Sequence, residues 1–176
     1  MKKRIFVALG ISRELQEEIL AFERALPDLP VRWLEGKNLH VTVAPPWYEE
    51  ETAAIREKLA QIKNAAFDVA FRSVSYGPNP KSPRLIWAEG EAPHPLLSLQ
   101  NKICGALSAH AEQRPLLLHM TLARFRPETF ASFRVKSLYE KIDWRDRISS
   151  FLLMESRLTP SGADYEIIET FPLHGD

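Results

Sequence analysis

Two short stretches carry the same polar pattern: NLHVTVAP at residues 38–45 and LLHMTLAR at residues 117–124. Each places a histidine two residues before a threonine inside an apolar run, and the two histidines, His40 and His119, are 79 residues apart in a chain that holds five. On a strand, successive side chains point to opposite faces. His40 and Thr42 then share one face, with Val41 and Val43 on the other; His119 and Thr121 likewise oppose Met120 and Leu122. If the strands lie side by side, two imidazoles and two hydroxyls line one cleft. Imidazole titrates near neutrality, so a pair can hold one base and one acid at the same pH. Cleavage of a phosphodiester needs both: one proton is taken from the attacking water or hydroxyl, and one is given to the leaving oxygen. Threonine hydroxyls donate to non-bridging phosphate oxygens. An arginine offsets developing negative charge with its forked donors. Arg124 is the candidate, although its odd offset from His119 leaves its facing open. One His-x-Thr on a strand reads as a satisfied polar pair; it is the duplication that points to a shared site. A zinc site would need a third ligand, and neither a His-Glu-x-x-His motif nor a cysteine pair is present, so no metal and no cofactor is expected.

The surrounding sequence must position these strands. RIFVALG (4–10) is rich in strand formers, and Ser12 caps a helix whose Leu15, Ile19, Phe22 and Leu26 fall on one face. Pro27 and Pro30 end it. VRWL (31–34) reads as a strand leading through a turn into the first histidine strand, which PPW (45–47) is expected to stop. Glu49 to Lys63 reads as a second helix, with YEEE (48–51) at the positive end of its dipole. FDVAFRSVSYG (67–77) alternates as a strand, and RLIWAEG (84–90) follows a Pro-rich loop. A third helix is expected from about Pro95 to Ala111, with Leu96, Leu99, Ile103 and Leu107 on one stripe. The second histidine strand ends at Pro127, and residues 149–173 read as a closing hairpin around PSGAD. Residues 128–147 are the least legible; SLYEKIDW is read as a short helix. Strands outnumber helices and several are joined by short turns. That favours an α+β fold of mostly antiparallel sheet over a doubly wound parallel one. The similar helix–strand order around the two motifs hints at two pseudo-equivalent lobes.

The bulk numbers agree with a folded chain. There are 176 residues, 45% of them apolar, and 23 basic side chains balance 23 acidic ones. Neither half is a basic arm, so non-specific binding to long DNA duplexes is not expected. The lone Cys104 excludes an intramolecular disulfide and is read as a buried, inert thiol. The N-terminal MKKRIFVALGIS begins like a signal peptide, but its apolar run stops after a few residues and no small-residue cleavage site follows. No stretch is long enough to span a bilayer. The expectation is a cytoplasmic monomer with no membrane partner.

Taken together, HVTV (40–43) and HMTL (119–122) are the His-x-Thr-x signature of the two-histidine (2H) phosphoesterase superfamily. Within it, the chain resembles the bacterial and archaeal RNA 2′,3′-cyclic phosphodiesterases, also called 2′-5′ RNA ligases. The similarity runs nearly end to end, through RIFVAL, VRWLEGKNLHVTV, SPRLIWAEG, HMTLARF and the closing hairpin. The resemblance implies one domain over residues 1–176, built from two intertwined, pseudo-symmetric lobes, with helices packed outside and an open central cleft. It implies metal-independent hydrolysis of an RNA-terminal 2′,3′-cyclic phosphate to a 2′-phosphomonoester, with reversible 2′-5′ ligation. It makes His40 the proton donor and His119 the acceptor, with the roles exchanged in ligation. Thr42, Thr121 and Arg124 would contact phosphate.

The chain departs from the family pattern after the first motif, where APPWYEE (44–50) replaces an Arg-Phe-Leu-Gly type segment, and before the second, where Arg114 and Pro115 are displaced upstream. These changes bear on substrate recognition. Alternative substrates are therefore ADP-ribose 1″,2″-cyclic phosphate and 2′-5′ oligoadenylate; a nucleotide or RNA-end binding protein with weak catalysis is a further alternative. Trp47 and Tyr48, just past His40, and Phe6 are candidates to contact a base. Core packing is the default for Phe6, Trp33 and Trp87. Arg126 shares a side with Arg124 by alternation, and Arg32 and Lys37 would add positive potential at the mouth. His94, His110 and His174 are assigned no chemistry.

Overall fold

The computed structural model describes residues 2–107, 116–160 and 162–174. The first strand, β1 (Lys3–Leu9), leads into helix α1 (Arg13–Arg24). Ser12 caps that helix: its side chain accepts from the backbone N–H of Leu15 at 3.2 Å, as its residue type predicts. β2 (Arg32–Trp33) and a short 3₁₀ turn over Gly36–Asn38 precede β3 (Val41–Glu49), and α2 (Thr52–Ala60) follows. Then come β4 (Phe67–Gly77), β5 (Leu85–Gly90), α3 (His94–Leu107) and β6 (Leu118–Arg124). A 3₁₀ turn over Pro127–Ser132 leads to β7 (Tyr139–Ile148), β8 (Ser150–Thr159) and β9 (Gly162–Pro172).

The named strands pair antiparallel throughout and form two sheets, ordered β3-β1-β8-β9 and β2-β6-β5-β4-β7. The pseudo-symmetry is visible in this order. Each histidine strand pairs with the strand that precedes it across a helix: β3 with β1 across α1, and β6 with β5 across α3. The helices are exchanged. α1 lies in the chain between β1 and β3 of the first sheet, with β2 following it, but docks on β7 of the second, where Phe22 meets Trp144 edge-on at 5.5 Å. α3 connects strands of the second sheet and packs on β3 of the first. Each lobe therefore covers the other's apolar sheet face, and one core runs through both: Leu15 and Ile19, Leu96, Leu99 and Ile103, and Val41 and Val43 all belong to it. No helix among the described residues is long and apolar enough to cross a membrane.

Three expectations are corrected. PPW does not stop the first histidine strand; β3 runs on through Pro45 and Pro46 to Glu49. It survives because it is the edge of its sheet, where an imide nitrogen has no ladder partner to fail, and because the register shifts twice, leaving irregularities around the prolines. The second helix accordingly starts at Thr52, so Tyr48 and Glu49 belong to the strand. SLYEKIDW is not helical: Tyr139–Ile148 is a strand paired with β4. Its charges hide the alternation that buries Trp144, Asp146 and Ile148. Asp146 is buried because it accepts from the Ser12 backbone N–H at 2.8 Å and so ties α1 to this strand. The third helix is described from His94 to Leu107; residues 108–111, His110, Arg114 and Pro115 lie outside the described residues.

Leu99 is fully buried at the α3 contact between the lobes. Leu99→Ala is expected to cost about 2–5 kcal/mol of stability through lost burial and the cavity left behind, measured by urea unfolding.

Candidate active site

The two sheets meet where β3 faces β6. His40, Thr42, His119, Thr121 and Arg124 line one cavity there, of about 250 Å³. The period-two reading of both motifs is thus what places four polar side chains together. Both rings are anchored in the same way. Nδ1 of His40 lies 2.7 Å from the carbonyl oxygen of Asn38, and Nδ1 of His119 lies 3.0 Å from that of Leu117. A carbonyl can only accept, so this contact assigns the N–H to Nδ1 in each ring. Nε2 is left outside this contact in both rings.

Aromatic side chains from the adjoining strands hold the rings. Phe6 of β1 lies 5.1 Å from the His40 ring and Tyr165 of β9 lies 5.0 Å from it, edge-on. Trp87 of β5 lies 5.2 Å from the His119 ring. Trp87 is itself fixed: its indole N–H donates to Ser75 Oγ at 3.2 Å, and that hydroxyl donates to Glu89 at 3.1 Å. Glu89 stands directly opposite His119 in the β5–β6 ladder, so its carboxylate is on the same face of the sheet as the imidazole. Asn38 does double duty on the other side. Its backbone carbonyl anchors His40, while its buried side chain accepts from the Tyr165 backbone N–H at 3.2 Å.

The two histidines sit in unlike surroundings. Burial against Phe6 and Tyr165 disfavours the charged form of His40 and lowers its pKa to about 4; the hydrogen bond to Asn38 opposes the shift, and the charges of Arg124 and His119 add to it. His40 is therefore neutral near pH 7 in the open cleft. On β6 the register slips between Ile86 and Trp87, which pair with Ala123 and Thr121 respectively. The extra residue, Leu122, forms a bulge in which Leu122 and Ala123 are both buried. This shift of alternation turns Arg124 into the cleft despite its odd offset from His119.

The other candidates divide. Phe6 is buried yet touches His40, so it belongs to the cleft wall as well as to a small apolar cluster with Leu152 and Met154. Trp87, expected in the core, lies on the cleft face against His119. Trp47 is 9% exposed and packs in the main core, so it offers no surface to a base. Tyr48 is exposed, opposite Arg4 in the β1–β3 ladder, and does not line the cavity. Arg126 is exposed before the second 3₁₀ turn and is also outside it. Four lining residues were missed: Arg4, Leu34, Pro46 and Tyr165. Arg4 and Phe6 were readable together as one face of β1. Tyr165 reaches His40 only through the curl of the sheet, which leaves no local signal. Cys104 is half-buried with its thiol pKa raised by burial, and among the described residues no group of three or more His, Cys, Asp or Glu is placed to hold a metal ion.

Two antiparallel sheets, exchanged helices and a paired His-Thr cleft define a two-histidine phosphoesterase fold. Residues 12–159 match the family model of the 2′-5′ RNA ligase superfamily, and the chain belongs to that family. It is 26% identical over 174 residues to the RNA 2′,3′-cyclic phosphodiesterase of Archaeoglobus fulgidus, an alignment covering 96% of this chain and 99% of that protein. It is 25% identical over 187 residues to the protein of the same name from Thermus thermophilus, covering 98% and 91%. Among solved structures, a Thermus thermophilus protein superposes with a TM-score of 0.81 at 21% identity, covering 98% of this chain and 99% of that one. E. coli LigT superposes with a TM-score of 0.78 at 21% identity, covering 98% of each. The protein is thus an enzyme of the 2H phosphoesterase family.

The depressed His40 pKa has a testable consequence. Between about pH 6.5 and 4 the unfolded chain binds a proton at this position that the folded chain refuses, so stability falls as pH drops through that window, by on the order of 3 kcal/mol from this group. An NMR titration is expected to place the His40 midpoint near 4, and Tyr165→Ala, which opens the ring to water, is expected to raise it. A His40 midpoint at the ordinary histidine value would contradict the burial argument.

Proposed function

We propose that the protein hydrolyses an RNA-terminal 2′,3′-cyclic phosphate to a 2′-phosphomonoester without a metal, and that the same site runs the reverse 2′-5′ ligation. The observation that carries this reading is the shared cavity of His40, Thr42, His119, Thr121 and Arg124. A phosphate between the two rings would meet one Nε2 on each side, so proton removal and proton delivery need no further group. Thr42 and Thr121 would donate to its non-bridging oxygens, and Arg124 would offset the charge that builds on them. The names of the archaeal and bacterial relatives support the substrate, and LigT was crystallised with 3′-AMP, ATP and NADP+.

The family resemblance makes His40 the donor to the leaving 3′ oxygen and His119 the acceptor from water. A donor must carry its proton, and the open cleft keeps His40 neutral. The substrate's own charge reconciles the two. A phosphodiester anion against Nε2 of His40 favours the imidazolium and counters Arg124. The bound complex, not the empty cleft, then holds His40 in the donor state.

His40→Ala and His119→Ala are each expected to lower turnover of a nucleoside 2′,3′-cyclic phosphate by about 10²–10⁴-fold, with thermal unfolding showing the variants folded. Turnover should persist in excess EDTA and follow a bell-shaped pH profile that loses one limb in each variant. Undiminished activity in either alanine variant would refute the paired-histidine reading.

A further inference from the structure

β2 is only two residues long, Arg32 and Trp33, and it adds to the outer edge of β6. Its register sets Arg32 directly opposite Arg124. Opposed residues of an antiparallel pair share a face with their Cβ atoms about 5 Å apart, and like charges placed so repel. Among the described residues, no ion pair involves either arginine. Arg124 lines the two-histidine cavity; Arg32 lines a second cavity of about 380 Å³, and Leu34 is a wall of both. The carboxylates of that second cavity are already engaged: Lys37 holds Asp164 at 2.6 Å and reaches Glu35 at 4.0 Å. The Arg32 guanidinium is seated against the β8–β9 hairpin. At Gly162, where φ is +119°, a Cβ would meet Arg32 Nη1 at 2.0 Å, so the missing side chain makes its place.

We propose that Arg32, at the shoulder of Arg124, forms a second phosphate subsite that takes the 5′-phosphodiester of the reacting nucleotide. The preferred substrate is then the end of a ribo-oligonucleotide and not a mononucleoside cyclic phosphate. This rests on reading the two-histidine cavity as the place where the cyclic phosphate reacts. Two arginines set opposite in the ladder, with no carboxylate partner among the described residues, leave their like charges uncompensated in the empty protein. Two phosphates one nucleotide apart, one on each arginine, turn that repulsion into paired charge-assisted hydrogen bonds. A mononucleoside cyclic phosphate supplies only the first of them.

The test compares adenosine 2′,3′-cyclic phosphate with the dinucleotide ApA ending in the same cyclic phosphate. The wild type is expected to favour the dinucleotide in kcat/KM by about 10–100-fold, the scale of one charge-assisted contact. Arg32→Gln should bring the ratio close to one, mainly through KM for the dinucleotide, and Arg32→Lys should restore part of it. The slope of log kcat/KM against log salt for the dinucleotide should shallow by about 0.7 in Arg32→Gln. A wild-type ratio near one, or a ratio unchanged in Arg32→Gln, overturns the subsite. Calorimetry gives a readout free of turnover, with ApA bearing a terminal 2′-phosphate compared with adenosine 2′-phosphate. An Arg32-dependent gain in affinity without turnover of either cyclic phosphate would sink the catalytic reading and leave the subsite standing. Equal affinities for the two product analogues would sink the subsite alone.

Discussion

The structure depends on one repeated contact: an imidazole N–H donating to the backbone carbonyl two residues before it. His40 makes it to Asn38 and His119 to Leu117. The contact needs no partner element, because the chain entering each strand supplies its own acceptor. It commits Nδ1 to the scaffold and leaves Nε2 outside that contact. Everything else brings two such self-anchored rings into one cavity and gives them different surroundings. The exchange of helices between lobes does the first, since α1 and α3 each bury the other lobe's sheet and hold β3 against β6.

The difference in surroundings comes from what stands behind each ring. Phe6 and Tyr165 dry the His40 side, and Arg124 adds positive charge there. On the His119 side, Trp87, Ser75 and Glu89 form a hydrogen-bonded backing with a carboxylate in the opposing ladder position. Two side-chain pairs identical in type thus become unlike in chemistry. In the proposed reading the bound phosphate acts on this difference, because general acid–base catalysis needs one ring protonated while the other is not.

The legible parts of the sequence were those governed by short-range periodicity. The facing of His40, Thr42, His119 and Thr121 follows from alternation over three residues, and the helix stripes at Leu15 and Ile19 or Leu96, Leu99 and Ile103 follow from the helical period. Failures came where a neighbouring strand overrode the local pattern. Pro45 and Pro46 looked like a stop, but an edge position with register shifts absorbs them. Tyr139–Ile148 looked helical because its exposed positions are charged, yet the free side of β4 makes it a strand. Trp47 and Trp87 exchanged expectations. Trp47, a candidate to contact a base, occupies the inward face of a strand that runs on past the prolines, and Trp87, expected in the core, lies against His119.

The amino-acid sequence by itself determined the chemical inventory of the site, the pairing of histidine with threonine, and most of the helix and strand content around them. Each of these is set within a few residues by side-chain alternation, capping and chain stiffness. Only the tertiary structure decided that Arg124 turns inward, that Tyr165 closes over His40, that Arg32 stands beside Arg124, and that His40 is the drier ring. Those outcomes depend on a bulge, a sheet's curl and a ladder register, which are settled by strands distant in the chain competing for the same hydrogen bonds and buried surface.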